Sequence, residues 1–525
     1  MFRSTEREGG SMSKASQRPG NGEIRGLKRQ RMEAGKALRE KQKAEGLDAC
    51  LPARQGGVNA ALPNRKSGYE NVKEEREARQ AAATDQMRIL KSQLPGLLKG
   101  LSKIKDPRNP KKLKHKLEAL LIYGILMFVF QISSRREANR EMTRPQFIEN
   151  LKLFFPEIDI PHNDTLMRLL SVIEVDEIEA ALMEAVHKLI KNKKFSRYLV
   201  DNHYTVAIDG TQKFKRDVIW AEECSQREVK DGNRTRTQYH VNVLEANLVF
   251  PNGMSIPLMS EFSNYAQGDT ETRKQDCELK AFKRLAKRLK EAFPRLSIRV
   301  VLDGLYPNGP VMEVCRKNRW DFMIVLQDKS LPSVWEEFEG LKKLQTENRF
   351  RRKCGNRHQD FQWVNHIEYA YGPNGRKRQI IHMVICRETW EEVAKDSAEI
   401  ETKASRHVWI SHKPFSKENV HKRCNLCARH RWNIESGILV EKRQGYGYEH
   451  AFSYNWNAMK GYHYLMRLGH FINVLAAYSE CLIDIVREFG VRGFIRFVRE
   501  TLVAPWLNAP WVKNRLEANF QLRLI

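Results

Sequence analysis

Apolar residues recur at helical spacing over about one hundred residues, from residue 94 to about 195. Residues 116–123 and 176–186 repeat apolar side chains every three or four positions, which is the spacing of one face of a helix. The longest apolar stretch, residues 117–130, is too short to cross a bilayer and predicts a buried helix. We therefore predict a helical domain over residues 96–195.

Short β-branched runs replace the helical pattern after residue 195. Residues 204–208 and 298–302 each lead into an Asp-Gly pair, beginning at Asp209 and Asp303, which predicts a buried strand ending in a sharp turn. For either pair alone, ordinary turn chemistry is an equally good explanation. The other predicted elements of this region are strands at 237–244 and 255–262, a helix at 272–293, a helix at 309–319 and a strand at 322–326.

This order of three strands, helix, strand, helix and strand is the layout of an RNase H-like core, with helices packed on a mixed sheet. The predicted fold class is therefore mixed α/β, with the core over residues 196–340 and 405–480. A C-terminal helical region follows over residues 481–525.

A predicted β-rich insertion over residues 341–404 interrupts the core. Two alternating runs, residues 361–369 and 378–385, are joined through Pro-Asn-Gly at 373–375, a strong hairpin signal. Two basic clusters in the insertion suit a phosphate backbone, although a solvated hairpin surface explains them equally well. The clusters consist of Arg351, Arg352, Lys353, Arg376, Lys377 and Arg378.

Residues 1–95 are rich in Gly, Ser, Gln, Lys and Arg and poor in aromatic and β-branched side chains. Such a composition buries too little apolar surface to offset the entropy of ordering the chain. We predict a basic, largely disordered arm, which either keeps the protein soluble or contacts DNA without sequence preference.

The charge balance indicates a polyanionic partner. The 525 residues carry a net charge of +27, and phosphate contacts by Lys and Arg strengthen binding by releasing counterions. Nucleic acid is the leading candidate and an anionic membrane surface the second. Nine scattered cysteines do not resemble a disulfide framework, and the charged N-terminus lacks the apolar core of a signal peptide. We expect a cytoplasmic, nucleoid-associated protein without a membrane partner.

Arg431, Glu435 and Lys442 lie four and seven residues apart, which places them on one stripe of a predicted helix. By itself this pattern is more typical of a solvated, salt-bridged helix face. Together with Asp209 and Asp303 it provides three carboxylates, the ligands that Mg²⁺ or Mn²⁺ prefers. Two such ions about 4 Å apart support phosphoryl transfer on nucleic acid.

The chain resembles the DDE transposases of bacterial insertion sequences, in the branch with a Tyr-x2-Arg-x3-Glu-x6-Lys signature. The resemblance covers residues 204–477, with a looser similarity over 115–190, and rests on the order of the acids, the β insertion and the signature. It implies that Asp209, Asp303 and Glu435 are catalytic ligands of two Mg²⁺ or Mn²⁺ ions, and that Arg431 and Lys442 hold DNA phosphates.

The same resemblance implies a transposase that binds the ends of its element as double-stranded DNA, cleaves them and joins the 3′ ends to target DNA. It also implies a homodimer in a paired-end complex. The chain departs from the signature at Ala428, which stands where the family has a DNA-contacting tyrosine. A nuclease without strand transfer and a catalytically inactive DNA-binding derivative are the alternatives.

Two further motifs lie beside the signature. Tyr446 and Tyr448 belong to a Gly-rich segment after Lys442, where they either pack at a helix-ending turn or stack on an unpaired base. Upstream, two histidines and two cysteines follow one another at steps of three. On a continuous helix such steps drift around the axis, which argues against a shared zinc ion. These four residues are His421, Cys424, Cys427 and His430.

Overall fold

A large mixed β-sheet carries the candidate acids. The computed structural model of the protein describes residues 20–47, 66–232, 234–265 and 274–525. The strands are β1 (Tyr204–Arg216), β2 (Ser225–Asp231), β3 (Arg234–Val249), β4 (Ser255–Phe262), β5 (Ile298–Leu302), β6 (Asp321–Val325), β7 (Arg349–Cys354), β8 (Arg357–Tyr371), β9 (Lys377–Val393) and β10 (Ile400–Ser411). Their order is β2-β3-β1-β5-β6-β10-β9-β8-β7, and β4 also pairs with β3.

The centre of the sheet is parallel and its flanks are antiparallel. Strand β1 pairs in parallel with β5, and β5 pairs in parallel with β6. Strand β1 is antiparallel to β3, and β10 is antiparallel to β6. The sequence pattern predicted three strands between residue 196 and the helix at residues 272–293, whereas the described residues contain four strands before α8. Strand β2 escaped the pattern because it pairs with the first half of β3 and its polar side chains bury no apolar face.

Helices form most of the chain before the sheet and after residue 420. The first seven are α1 (Asn21–Ala44), α2 (Val72–Leu101), α3 (Leu117–Val129), α4 (Arg135–Glu141), α5 (Pro145–Lys152), α6 (Asn163–Leu170) and α7 (Asp176–Lys191). The later ones are α8 (Lys274–Ala292), α9 (Gly309–Lys317), α10 (Pro332–Leu341), α11 (Val420–Asn425), α12 (Trp432–Arg443), α13 (Trp456–Ala477), α14 (Ile483–Leu502) and α15 (Ala509–Glu517). A helical N-terminal part and a large mixed sheet confirm the predicted mixed α/β class. No helix of the described ranges is long and apolar enough to cross a membrane.

The end of the predicted N-terminal arm differs from the prediction. Helix α2 begins at Val72, and the Asn71 side chain caps it by accepting a hydrogen bond from the Glu74 amide at 3.0 Å. Several apolar residues of this helix are fully buried, among them Ala83 and Met87. The composition of residues 1–95 did not predict this helix because its apolar residues are few and stand among many charged ones. A few buried side chains are enough to stabilise a helix when other elements supply the rest of the core. The arm residues 1–19 and 48–65 lie outside the described residues.

The chain divides into two compact units, which are described separately. The smaller unit contains α1 together with residues 351–360 and 387–406. Within it, Lys41 Nζ pairs with Glu391 at 2.9 Å and Arg31 Nε donates to the Ala394 carbonyl at 3.0 Å. The larger unit contains the other described residues, including the parallel centre of the sheet and α2–α15.

The chain before Glu435 is not the continuous helix that the sequence predicted. Helix α11 ends at Asn425, Cys427 has non-helical angles (φ −128°, ψ −74°), and a 3-10 turn at Ala428–Arg431 leads into α12. The break accompanies the complete burial of the Cys427 side chain, whose sulfur lies 3.4 Å from Thr205 Oγ1 on β1. Helical spacing alone could not reveal it, because the break depends on contact with a distant strand.

A buried ionic cluster joins α12 to the sheet. Arg467 on α13 donates to Glu441 on α12 at 3.0 Å, and its guanidinium lies 3.4 Å from Glu245 on β3. All three side chains are buried. Burial by itself raises the pKa of Glu441, but the Arg467 guanidinium together with the hydrogen-bonded His470 outweighs this effect and lowers that pKa below its usual value. The cluster therefore holds α12 against β3, because separating its buried charged groups would cost free energy.

Replacing Arg467 with methionine is expected to destabilise the fold severely. The substitution leaves the Glu245 and Glu441 carboxylates buried without their cation, which costs about 3–5 kcal/mol for a broken buried pair. Thermal melting should show a large fall in Tm. Arg487→Met, on the exposed surface of α14, should leave Tm nearly unchanged, and an equally small effect of Arg467→Met would contradict a structural role for the cluster.

Candidate active site

Asp209 and Asp303 occupy matching positions on neighbouring parallel strands. Strand β1 pairs with β5 in the register Ala207↔Val301. Asp209 lies two residues further along β1, and Asp303 directly follows the last residue of β5. Adjacent strands lie about 4.8 Å apart, and the Asp303 carboxylate acts on the pKa of Asp209, so the two acids lie near each other at the end of β5.

Helix α12 packs on one face of these two strands. Ala207 and Val301 share a buried apolar cluster with Ile434 and Ile438 of α12. Glu435, between those two isoleucines in the sequence, lies in the first turn of the helix. The structure thus brings the helix bearing the third acid to the strands bearing the other two.

The two Asp-Gly pairs have different local structures. Asp303 follows the end of β5, and its Oδ1 accepts a hydrogen bond from the Leu305 amide at 2.9 Å, as in an Asx turn. Asp209 does not end a strand as the sequence predicted, because β1 continues to Arg216 along β3. At Gly210 a Cβ would lie 2.6 Å from Glu278 Oε1, so the glycine lets the Glu278 carboxylate approach β1 closely.

Arg431 and Glu435 form an ion pair at the start of α12. Arg431 is the N-cap residue with helical angles, so the four-residue spacing still places its guanidinium Nη2 2.7 Å from Glu435 Oε1. The Arg431 side chain is 7% exposed. Its Nη1 atom is buried and has no hydrogen-bond partner among the described residues. One nitrogen of the Arg431 guanidinium therefore lacks a hydrogen-bond acceptor within the described residues.

Lys442 lies on the same stripe, two turns beyond Glu435. Its Nζ donates to the Gln212 carbonyl at 3.3 Å and lies 3.2 Å from Glu449. Gln212 is three residues beyond Asp209 on β1. The predicted stripe of Arg431, Glu435 and Lys442 therefore lies along β1, the strand that carries Asp209.

The surroundings of Asp209 shift its protonation. Burial makes the largest contribution in raising the pKa of Asp209 to about 7, and the Glu435, Asp303 and Glu278 carboxylates add to it, while Arg431 opposes them. Three carboxylates therefore act on Asp209 together with the opposing charge of Arg431.

The donor chemistry fits a hard divalent cation, whereas the present arrangement is not a closed metal site. Oxygen ligands from several carboxylates are what Mg²⁺ requires. However, no group of three or more His, Cys, Asp or Glu side chains within the described ranges is arranged to hold one ion. Glu435 is instead paired with Arg431.

Sequence analysis missed Glu278 and Tyr306. Glu278 is a buried carboxylate in the apolar stripe of α8 that includes Phe282 and Leu285, and an acid within such a stripe is the signal that could have identified it. The Tyr306 side chain is buried, and its hydroxyl has no partner within the part of the chain that is described. Burial and the nearby carboxylates raise the pKa of Tyr306 well above its usual value, so its hydroxyl stays protonated.

Tyr446 and Tyr448 are not placed to stack on a base. Both side chains have no exposed surface. The Tyr448 hydroxyl donates to Glu245 at 2.7 Å, and the Tyr446 hydroxyl accepts from Asn473 at 2.8 Å. Their aromatic rings belong to the core because the Gly-rich segment folds back under α12, so this candidate role is corrected to the alternative of packed tyrosines.

The predicted basic clusters lie on or directly beside strands β7 and β9. Arg351, Arg352, Arg376 and their neighbours are exposed or half-buried. Several are paired: Arg351 with Asp360 at 3.6 Å, Lys353 with the Glu45 carbonyl, Lys377 with Glu313 at 2.8 Å and Arg378 with Glu368 at 2.6 Å. Exposed pairs of this kind contribute little to stability and remain available to phosphates.

The His and Cys array is buried in the apolar cluster below α12. Burial raises the pKa of Cys424 to about 12 and, with help from Arg429, lowers that of His430 to about 4. The thiol is therefore protonated at neutral pH. His430 Nδ1 lies 3.1 Å from the Asn433 amide nitrogen, which gives this ring a structural partner.

Asp209→Asn is expected to change stability in a pH-dependent way in the presence of EDTA. Because its pKa is raised when folded, the protonated carboxyl contributes stability below about pH 4, and this contribution is lost as the pH rises through 7. The neutral amide avoids the loss, so the variant should have a higher free energy of unfolding at pH 8, by at most about 4 kcal/mol, and a similar one at pH 4, as measured by denaturant unfolding. Asp484→Asn, at an exposed site, should show no such trend, and equal curves for Asp209→Asn and the unmodified protein would contradict the raised pKa of Asp209.

The comparison with known families concerns the helical part. Residues 98–185 match the model of the family described as DDE_Tnp_1-associated. They run from the end of α2 into α7. No curated protein matches the chain. The family match points to a DDE-type transposase family member.

Proposed function

We propose that the protein is a DNA transposase that binds the ends of its own element, cleaves them with the help of Mg²⁺ or Mn²⁺, and joins the 3′ ends to target DNA. The observation that carries the proposal is the shared register of Asp209 and Asp303 beside α12. Two carboxylates at matching positions of parallel strands, with a third on the helix packed over them, are the donor set that metal-dependent phosphoryl transfer requires.

The strand arrangement supports an RNase H-like assignment for this core. A parallel centre formed by β1, β5 and β6 is extended on one side by antiparallel β3 and β4. Helix α8 connects β4 to β5, and α9 connects β5 to β6. The match of residues 98–185 to a transposase-associated family is consistent with this assignment.

Asp209, Asp303 and Glu435 would hold the ions. When bound, the two divalent cations activate the attacking oxygen and stabilise the leaving oxygen of the phosphodiester. Glu435 must exchange its present contact with Arg431 to take part. Arg431, once released, retains a buried guanidinium whose unpartnered Nη1 can donate to a phosphate oxygen of the DNA.

Lys442 would provide a second phosphate contact from the same helix. Its partner Glu449 is exposed, so the pair contributes little and can be replaced by an anionic ligand. The net charge of +27 favours double-stranded DNA in general, and the basic residues 351–353 and 376–378 would provide further phosphate contacts. A homodimer that pairs two ends is part of the proposal.

Substitution of each acid is expected to separate binding from chemistry. Asp209→Asn, Asp303→Asn and Glu435→Gln each remove a metal ligand and leave the Arg and Lys side chains that would contact DNA unchanged. DNA binding should therefore persist, whereas cleavage of supercoiled plasmid in Mg²⁺ should fall by at least about a thousandfold. The assay is plasmid nicking and linearisation, with binding followed by gel shift. Glu291→Gln, an exposed acid of α8, is the matched control.

The outcomes distinguish the proposed activity from its alternatives. Cleavage without joining of 3′ ends would indicate a nuclease, and binding without cleavage by the unmodified protein would indicate an inactive derivative. An Asp303→Asn protein with full cleavage activity would refute the assignment of the site.

Arg431→Ala is expected to strengthen divalent-cation binding in the absence of DNA. The Arg431 guanidinium is paired with the Glu435 carboxylate and adds a positive charge beside Asp209. Its removal should tighten Mn²⁺ binding roughly tenfold, since like charges a few ångströms apart repel by more than 1 kcal/mol at a protein surface. Isothermal titration would measure the change, with Arg443→Ala at the exposed end of α12 as control. Weaker Mn²⁺ binding would instead mean that Arg431 orients Glu435 for the ion.

A further inference from the structure

A fourth carboxylate, Glu278, lies next to the strand that carries Asp209. Glu278 belongs to the second turn of α8, and its side chain is buried. Its Oε1 atom lies 2.6 Å from the position that a Cβ on Gly210 would occupy, and Gly210 directly follows Asp209. The carboxylate approaches β1 this closely because residue 210 has no side chain. None of the roles described above uses Glu278.

Helix α8 brings Glu278 to the face of the sheet opposite α12. Side chains alternate between the two faces along a strand, so a Cβ at Gly210 would point away from the face on which Ala207 and Asp209 lie. Ala207 shares a buried apolar cluster with Ile434 of α12, whereas the Gly210 position faces Glu278. Because β1 continues beyond the last residue of β5, that strand does not separate the two faces beside Asp209. Acids from α8 and α12 can therefore reach ions at Asp209 from opposite sides.

The Tyr306 hydroxyl is a buried donor among the same acids. Its side chain is 1% exposed, and the hydroxyl has no acceptor within the part of the chain that is described. The Tyr306 ring packs against Phe282, one helical turn beyond Glu278, with ring centroids 5.6 Å apart. After burial, the Glu278 carboxylate contributes most to the raised pKa of Tyr306, followed by Asp303 and Asp209. A buried hydroxyl without an acceptor is unfavourable, so this position favours an oxygen atom that arrives when one of these carboxylates turns toward an ion.

An ion that binds before DNA has these acids available, but not Glu435. Asp209 and Asp303 are half-buried and reach solvent, whereas Glu435 is paired with Arg431. No three acids of the described ranges are yet drawn together around one point. This separation is compatible with Mg²⁺ or Mn²⁺, because Mg²⁺ keeps several waters and needs only one or two direct carboxylate ligands. The remaining acid can act through such a water.

We propose that Glu278 is a fourth metal-binding acid of the candidate active site, and that Asp209, Asp303 and Glu278 hold the first divalent cation before DNA binds. Glu435 becomes available for the second cation only when a DNA phosphate has displaced it from Arg431. Asp209 lies between the two helices and contributes to both positions. The inference rests on the proposed function for the identity of the ions and for the need for two of them.

Mn²⁺ binding to the metal-free protein without DNA tests the inference independently of catalysis. Isothermal titration of Glu278→Gln should show a dissociation constant at least about tenfold weaker, because a carboxylate that attracts the cation is lost. The double substitution Arg431→Gln with Glu435→Gln removes the ion pair of α12 without changing the net charge, and should alter the affinity by less than about threefold. Glu291→Gln, an exposed acid of α8, is the matched control.

Gly210→Ala tests the position of the carboxylate instead of its charge. The substitution keeps all four acids, but the new methyl group would lie 2.6 Å from Glu278 Oε1, so the end of this flexible side chain must move away from β1. Mn²⁺ binding should weaken about tenfold, whereas thermal melting in EDTA should show a folded protein. Gly340→Ala, at a position with open space around it, is the matched control.

An unchanged Mn²⁺ affinity of folded Glu278→Gln overturns the inference, as does the absence of Mn²⁺ binding by the unmodified protein without DNA. If Glu278→Gln does not fold, Gly210→Ala decides alone. A larger loss in the Arg431 and Glu435 double variant than in Glu278→Gln also overturns it, because Glu435 then holds the first ion. Loss of cleavage by Asp303→Asn with normal Mn²⁺ affinity of Glu278→Gln refutes this inference alone. Weakened Mn²⁺ binding by Glu278→Gln in a protein that never cleaves DNA refutes the proposed function alone.

Discussion

The contact of Arg467 with Glu441 and Glu245 is the constraint on which the candidate site depends. It ties α13 to α12 and to β3 through side chains that are entirely buried. Glu245 stands opposite Asp209 in the antiparallel register of β3 and β1. The cation that neutralises Glu245 therefore also fixes the helix carrying Glu435 beside the strand carrying Asp209. Because a buried charge cannot lose its partner without a penalty of several kcal/mol, this geometry is held before any ligand arrives.

The candidate site itself has a different electrostatic character. Several carboxylates surround Asp209, and burial raises the pKa of Asp209 to about 7. The same helix, α12, thus has one face tied to the core by Glu441 and another that carries Glu435 toward the strands. The first provides stability, and the second provides affinity for cations and, through Arg431 and Lys442, for phosphates.

Much of the architecture was predictable because burial leaves a periodic signal. The parallel strands around Asp209 and Asp303 are short apolar runs, and α3 is apolar throughout. The same reasoning failed where one element depends on a distant one. Helix α2 is charged along much of its length yet packs into the core, Cys427 breaks a helix to contact β1, and Tyr446 and Tyr448 are core residues despite a Gly-rich, charged context. Local composition cannot report a partner that lies hundreds of residues away.

The sequence by itself determined the kinds of groups available: two Asp-Gly pairs after β-branched runs, the spacing of Arg431, Glu435 and Lys442, and a strong excess of cations. These are local properties, set by periodicity and composition. Only the tertiary structure decided that the register of β1 and β5 sets Asp209 beside Asp303, and that Arg431 is paired with Glu435 while one of its nitrogens remains free. It also revealed Glu278 near Gly210. Strand register and helix packing arise from contacts between distant segments, so no local pattern could contain them.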